Sequence, residues 1–310
     1  MLIDRSFALN QADPIQTASR SDSTLGIREQ VEFIEIGGSR LFACLHAPLG
    51  DPVGGVVICS PIQAEFEKNY RREFLLARSL AARGLAVGRF HYRGSGNSDG
   101  DAEDATVQTM LEDAHAVVGW LKDRTGISEV GFAGTRWGGL VAADAAAQYD
   151  PAPLVLWEPV LEPPSYFRDA FRSRLMRDLK DGATNRLSSA ALRAELERVG
   201  FVDVLGYGVY RGLYDDAIGR RLVTALGERP RPVLILQISP EGGLRSEYSS
   251  LVTELRSLGF AATAEVIADK EEAWWFADGR GEAAEARVGA RALVNLTTEW
   301  FVARFGEARP

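Results

Sequence analysis

The chain has 310 residues, 46% of them hydrophobic, and a formal net charge of -8. That length buries a full core, as one α/β domain with an insertion or as two domains, and the hydrophobic share is that of an ordinary globular protein. The acidic balance, with no long basic run to offset it, argues against a general nucleic-acid or anionic-membrane binder.

Residues 1–27 read as an N-terminal arm, because residues 8–27 are rich in Gln, Asp, Ser and Thr. The first residues carry no basic stretch leading into an apolar core, and no run reaches the length of a membrane span, so a cytoplasmic protein is expected. Residues 30–47 alternate apolar and polar around Gly37 and Gly38 and predict a β-hairpin, with Phe33, Ile34, Ile36, Leu41, Ala43 and Leu45 facing inward. Residues 55–60 form a short continuous apolar run, the pattern of a strand buried on both faces of a parallel sheet. A helix follows over 68–83, with Phe74, Leu75, Ala77, Leu80 and Ala81 at helical spacing, then a strand over 85–90. The glycine-rich loop 92–100 lacks the G-x-x-x-x-G-K-S/T spacing of a phosphate cradle, and no cofactor or metal is expected. Residues 106–123 predict an amphipathic helix ended by Gly126. Cys44 and Cys59, the only cysteines, sit in apolar runs and read as small buried hydrophobes.

Residues 128–133 then lead into Gly-Thr-Arg-Trp-Gly at 134–138, followed by a helical, alanine-rich stretch. Strand, tight turn and helix in succession, with small residues around the turn, is the context of a nucleophile elbow. Arg136 stands where the nucleophile belongs, and a guanidinium stays protonated and cannot attack a carbonyl. A further strand at 153–158 completes a strand-helix alternation that predicts a parallel sheet. The alternation breaks over 162–228, which read as a helical cap inserted over the carboxyl edge of the sheet. A strand at 232–237, a helix at 246–258, a strand at 261–267 and a long helix at 282–305 return the chain to the core. The predicted division is an arm (1–27), an α/β core (28–161 and 229–310) and the cap (162–228).

The strand order, the elbow frame, the cap and the segment 89–98 (Arg-Phe-His-Tyr-Arg-Gly-Ser-Gly-Asn-Ser) together resemble the α/β-hydrolase fold, in particular its serine aminopeptidase-like group. That segment is similar to the family's D-x-R-G-x-G-x-S loop, with His91 where an acidic residue is usual. More narrowly, the chain resembles the exosortase A system-associated hydrolase type 2 proteins, which also carry Arg in a G-x-R-x-G elbow. The matching stretches are residues 60–71, 134–138 and 154–160 and the pair Gly206 and Tyr207. The resemblance implies a mostly parallel eight-stranded sheet with helices on both faces and a helical cap. It also implies a chain order of nucleophile, acid and histidine for a working triad.

That order fails here. The three histidines, His46, His91 and His115, all precede Arg136. The positions equivalent to nucleophile, acid and histidine read Arg136, Glu241 and Lys270. Thr135 and Ser60 carry hydroxyls but have no downstream histidine to activate them, and each reads as a residue bonded locally. What the scaffold keeps is a crevice where strand ends, turn amides and a helix amino terminus converge and favour an anion. Arg136 adds a cation, answered by Glu65 or Glu158 as a buried ion pair, or free to hold a ligand carboxylate or phosphate by its planar fork.

Ile62, Gln63, Arg136, Trp137, Tyr207 and Trp275 are the expected ligand contacts, with Tyr210 and Trp274 nearby. The expected function is a hydrolase homologue without the triad mechanism that binds an acyl or carboxylated small molecule above Arg136. The alternatives are an enzyme of unconventional chemistry using Arg136 with Glu65 or Glu158, and a protein-interaction scaffold. His91 reads as a hydrogen-bonded structural residue, and the arginines at 168, 172, 174 and 177 as a solvated helix face.

Overall fold

Residues 54–59 and 85–90 are buried at every position, as strands covered on both faces must be. The computed structural model describes residues 17–150, 152–180, 188–239, 242–268 and 288–307. Its strands are β1 (Thr17–Asp22), β2 (Ile27–Ile36), β3 (Ser39–Pro48), β4 (Gly54–Cys59), β5 (Leu85–Phe90), β6 (Val130–Thr135), β7 (Leu154–Trp157), β8 (Phe201–Val204), β9 (Tyr207–Tyr210), β10 (Pro232–Ser239) and β11 (Ala261–Ala268). Nine of them form one sheet in the order β1-β2-β3-β5-β4-β6-β7-β10-β11, and β8 pairs with β9. The six strands from β5 to β11 are parallel, and β1, β2 and β3 are antiparallel, with β3 also antiparallel to β5.

The strand period of two sorts side chains between two cores. Val57 and Cys59 face α2 (Val107–Thr125), α3 (Trp137–Ala146) and α8 (Ser246–Ser257), while Val56 and Ile58 face α1 (Gln63–Ala82) and α9 (Val288–Glu307). Trp157 is fixed to α9 by an indole N–H donated to Thr297 Oγ1 at 2.9 Å. Thr106 caps α2, accepting from the Thr109 N–H and closing a reciprocal box with the Thr109 hydroxyl, and Gly126 ends the helix in the left-handed region. Cys59 fits the packing reading, since it is buried completely, which pushes its thiol well above its usual range, whereas Cys44 is half-buried.

Between β7 and β10 the chain forms α4 (Pro163–Lys180), α5 (Ser189–Val199), the β8–β9 pair, α6 (Arg211–Ala217) and α7 (Leu222–Ala225). The segment expected to be helical therefore also holds a two-stranded ribbon, because Phe201–Val204 and Tyr207–Tyr210 flank a turn at Leu205 and Gly206. The ninth strand of the sheet lies in the expected arm. Residues 17–22 pair along the open edge of β2, and Arg78 of α1 holds Asp22 while Arg20 meets Glu29 at 2.6 Å.

Helix α1 starts at Gln63, not Lys68, and its buried face opens with Glu65, Asn69 and Glu73 before Leu76, Ala77 and Leu80. Leu75 faces solvent at 42% exposure, a position the apolar pattern had turned inward. Among the described residues no helix is long and apolar enough to cross a membrane.

Candidate functional site

The turn between β6 and α3 holds Arg136 at φ 53° and ψ -116°, a conformation that costs a non-glycine residue on the order of 1–3 kcal/mol. The surrounding backbone over-determines it. Its N–H donates to the Trp157 carbonyl at 2.9 Å, and its carbonyl accepts from the N–H groups of Gly139 at 3.0 Å and Val160 at 3.1 Å. The flanking glycines are required by close approach: a Cβ on Gly138 would lie 2.0 Å from the Cys59 carbonyl oxygen, and one on Gly134 would lie 2.5 Å from the Gly138 carbonyl oxygen. Gln63 (φ 56°) and Glu158 (φ 43°), just beyond β4 and β7, share the left-handed region, so three strained residues follow three neighbouring strands.

Arg136 answers two groups. Its Nε meets Glu65 Oε1 at 3.4 Å, and its Nη1 donates to the Glu158 carbonyl oxygen at 3.1 Å. The Glu158 carboxylate itself accepts from the Ile238 N–H at 2.9 Å and lies 3.4 Å from Arg245. Of the two carboxylates expected to meet the arginine, Glu65 therefore makes a side-chain contact, and Glu158 contributes its main chain. Burial pushes the Glu65 carboxyl above its ordinary value of 4.5, with the Arg136 charge pulling it back. Its second oxygen is buried without a hydrogen-bond partner.

Above the guanidinium lies a cavity of about 60 Å³. Gln63, Glu65 and Arg136 form its core side, and Tyr166, Asp169 and Tyr207 close it from the insert. The structure thus brings together Gln63, Glu65, Arg136 and Tyr207, four of the residues singled out from the sequence. Ile62 and Tyr210 line a neighbouring cavity. Trp137 lines neither; its indole is fully buried, 5.1 Å from the Tyr166 ring and 5.5 Å from Phe167. Glu241, Lys270, Trp274 and Trp275 lie outside the described residues.

Tyr166 and Asp169 had no sequence signal of their own, because the insert's placement over the elbow is set by packing far apart in the chain. A second group that sequence reasoning missed is the polar cluster beneath the elbow. Ser60 donates to Glu73 Oε2 at 2.6 Å, and the buried Thr135 lies near the same carboxylate. Ser60 was expected to bond locally; instead it bonds to Glu73 of α1. A signal existed: Ser60 continues the Val56 and Ile58 face, and Glu65, Asn69 and Glu73 recur every four residues on one helix face. Complete burial pushes Glu73 up to about 7, opposed by the Ser60 bond and the Arg89 charge.

None of the three histidines lines the cavity. His46 pairs through Nδ1 with Glu29 at 2.9 Å, and His115 with the Tyr149 hydroxyl at 3.1 Å. His91 accepts from the Asn97 N–H at 3.0 Å and packs against Phe42 and Phe66; burial, aided by the Arg89 charge, lowers it to about 4. It is a structural residue of the 92–100 loop. Among the described residues no cluster of His, Cys, Asp and Glu could hold a metal ion.

The serine aminopeptidase, S33 family model matches residues 54–198, from β4 through the elbow and into the insert. Among solved structures, Est1E from Butyrivibrio proteoclasticus with ferulic acid bound aligns with a TM-score of 0.63 at 19% identity, over 88% of this chain and 99% of that one. Carboxyl esterase 2 from the mycorrhizal fungus Tuber melanosporum aligns with a TM-score of 0.56 at 17% identity, over 92% of this chain and 88% of that one. No sequence relative is found among curated proteins. Sheet order, elbow turn and these matches converge: the chain has the α/β-hydrolase fold.

Proposed function

We propose that this α/β-hydrolase-fold protein has exchanged triad hydrolysis for ligand binding, and that it holds an acyl or carboxylated small molecule over Arg136, with the insert between β7 and β10 as its cap. The observation that carries this reading is Arg136 itself: a guanidinium in the strained elbow position, on the floor of a cavity. A cation there gives a carboxylate two parallel N–H donors and cannot act as a nucleophile. Glu241 and Lys270 at the remaining triad-equivalent positions, and histidines that are all engaged elsewhere, support the same reading. The exosortase-associated resemblance of the elbow is consistent with it.

Thermal melts in the presence of matched carboxylates and primary alcohols test the assignment. Carboxylates raise the melting temperature, alcohols of equal length do not, and Arg136→Gln abolishes the difference. Equal shifts from both series, or an unchanged response in folded Arg136→Gln, contradict it.

A second reading rests on Glu65, whose buried carboxyl, raised above its ordinary value by burial, faces the same cavity. In an enzyme of unconventional chemistry it donates a proton to a bound substrate while Arg136 steadies the developing charge. Turnover that is lost in Glu65→Gln with ligand binding intact favours this reading over simple binding.

A further inference from the structure

The cavity over Arg136 holds about 60 Å³, well under the ~150 Å³ that houses one benzene ring, and takes a carboxylate group but not the body of an organic acid. A second cavity of about 290 Å³ adjoins it. Gln63 and Tyr207 line both and form the partition between them. The walls of the larger chamber are mostly apolar: Phe66 of α1, Tyr92 and Ala105 of the following loops, Met110 of α2, Tyr210 of β9 and Leu213 of α6. The cation at its rim, Arg93, is held by Asp113 at 2.5 Å and Glu112 at 2.7 Å, so the chamber offers little attraction to an anion.

The partition is made of two side chains that are lightly held. Gln63 Nε2 donates to the Gly208 carbonyl at 3.2 Å, and the Tyr207 hydroxyl lies near the Glu67 carboxylate. Gln63 also keeps a positive φ of 56° at the start of α1, the kind of strained position found at ligand clamps. A small cavity with a cation on its floor and a larger, mostly apolar chamber therefore sit side by side behind two side chains that can swing without moving the sheet.

We propose that the larger chamber houses the apolar body of the ligand whose carboxylate Arg136 holds, so that the ligand is an amphipathic monocarboxylic acid lying across Gln63 and Tyr207. The proposal rests on the carboxylate reading above. A cavity of ~150 Å³ accommodates one benzene ring, so a chamber of nearly twice that volume takes an aliphatic or aryl body of about ten to twelve non-hydrogen atoms.

Titration calorimetry of the full chain with butyrate, decanoate and decan-1-ol tests it. Decanoate binds at least tenfold more tightly than butyrate, and Met110→Trp or Ala105→Phe, which fill the chamber, remove that advantage while leaving butyrate unchanged. Met110→Ala enlarges the chamber and gives an independent route should the filling variants fail to fold; it shifts the preferred chain length upward, towards tetradecanoate. Equal binding of butyrate and decanoate, failure of all three ligands to bind, or a decanoate affinity indifferent to folded chamber variants overturns the proposal. The two readings separate cleanly. Decan-1-ol that binds as tightly as decanoate and is lost in Met110→Trp supports the chamber and refutes the Arg136 clamp. Tight butyrate binding that is lost in Arg136→Gln, with no effect of chain length, supports the clamp and refutes the chamber.

Discussion

Arg136 and Glu65 meet at 3.4 Å across the floor of the cavity, one from the turn after β6 and the other from the first turns of α1. The pair is loose and nearly buried, with side-chain exposures of 16% and 4%. A contact of that length leaves the guanidinium able to exchange its partner for a ligand carboxylate. Glu65→Gln removes the competing charge and keeps the shape. The expected result is a loss of about 1–3 kcal/mol in urea unfolding, from a buried cation left partly unanswered, together with tighter carboxylate binding. No change in either quantity would mean that the two side chains do not interact.

Glu73 makes the stability of the fold depend on pH. Its folded value of about 7 exceeds the ordinary 4.5. Between those values the folded protein holds a proton that the unfolded chain has released. The contribution is fully present below about pH 4.5 and is lost as pH rises through about 7, by on the order of 3 kcal/mol. Urea unfolding at several pH values from about 4.5 to about 8, on the native protein and on Glu73→Gln, checks this. The native protein loses stability across the window relative to the variant, and parallel profiles would refute it.

Much of this fold was legible because its signals are local. Buried parallel strands announce themselves as continuous apolar runs, as in β4 and β5, and Gly134 and Gly138 mark the two positions around the turn where a Cβ does not fit. Of the candidate cavity, Arg136, Glu65, Gln63 and Tyr207 were singled out through the elbow frame and the stretches around it. Contacts between distant segments were not legible. Arg78, which bonds Asp22 of β1, lies 56 residues beyond it. The polar face of α1 runs against the usual rule that the inward stripe of a helix is apolar, so Glu65 was read without the helix that positions it and Glu73 was not singled out.

Gly138→Ala tests the close approach at the elbow. Its Cβ would meet main-chain atoms of Cys59 and Ser60, which cannot rotate away. A loss of more than about 3 kcal/mol in chemical unfolding, or failure to yield folded protein, is expected. A variant of native stability would show that β4 can move away from α3.

Arg78→Ala tests how the first strand is held. Arg78 bonds Asp22 of β1 and lies 3.5 Å from Glu29 of β2. Amide exchange in Thr17–Asp22 is expected to quicken about tenfold, while global stability changes by no more than about 1 kcal/mol. Unchanged exchange would assign the hold on β1 to its backbone pairing alone.

The central claim is that an arginine at the elbow has removed the triad mechanism, and intact-mass measurement after incubation with a fluorophosphonate probe tests it most directly. With Arg136 in the nucleophile position and no histidine at the cavity, the expected result is the unmodified mass. A stoichiometric adduct, lost in Thr135→Ala or Ser60→Ala, would contradict the claim and restore a serine-hydrolase-like site.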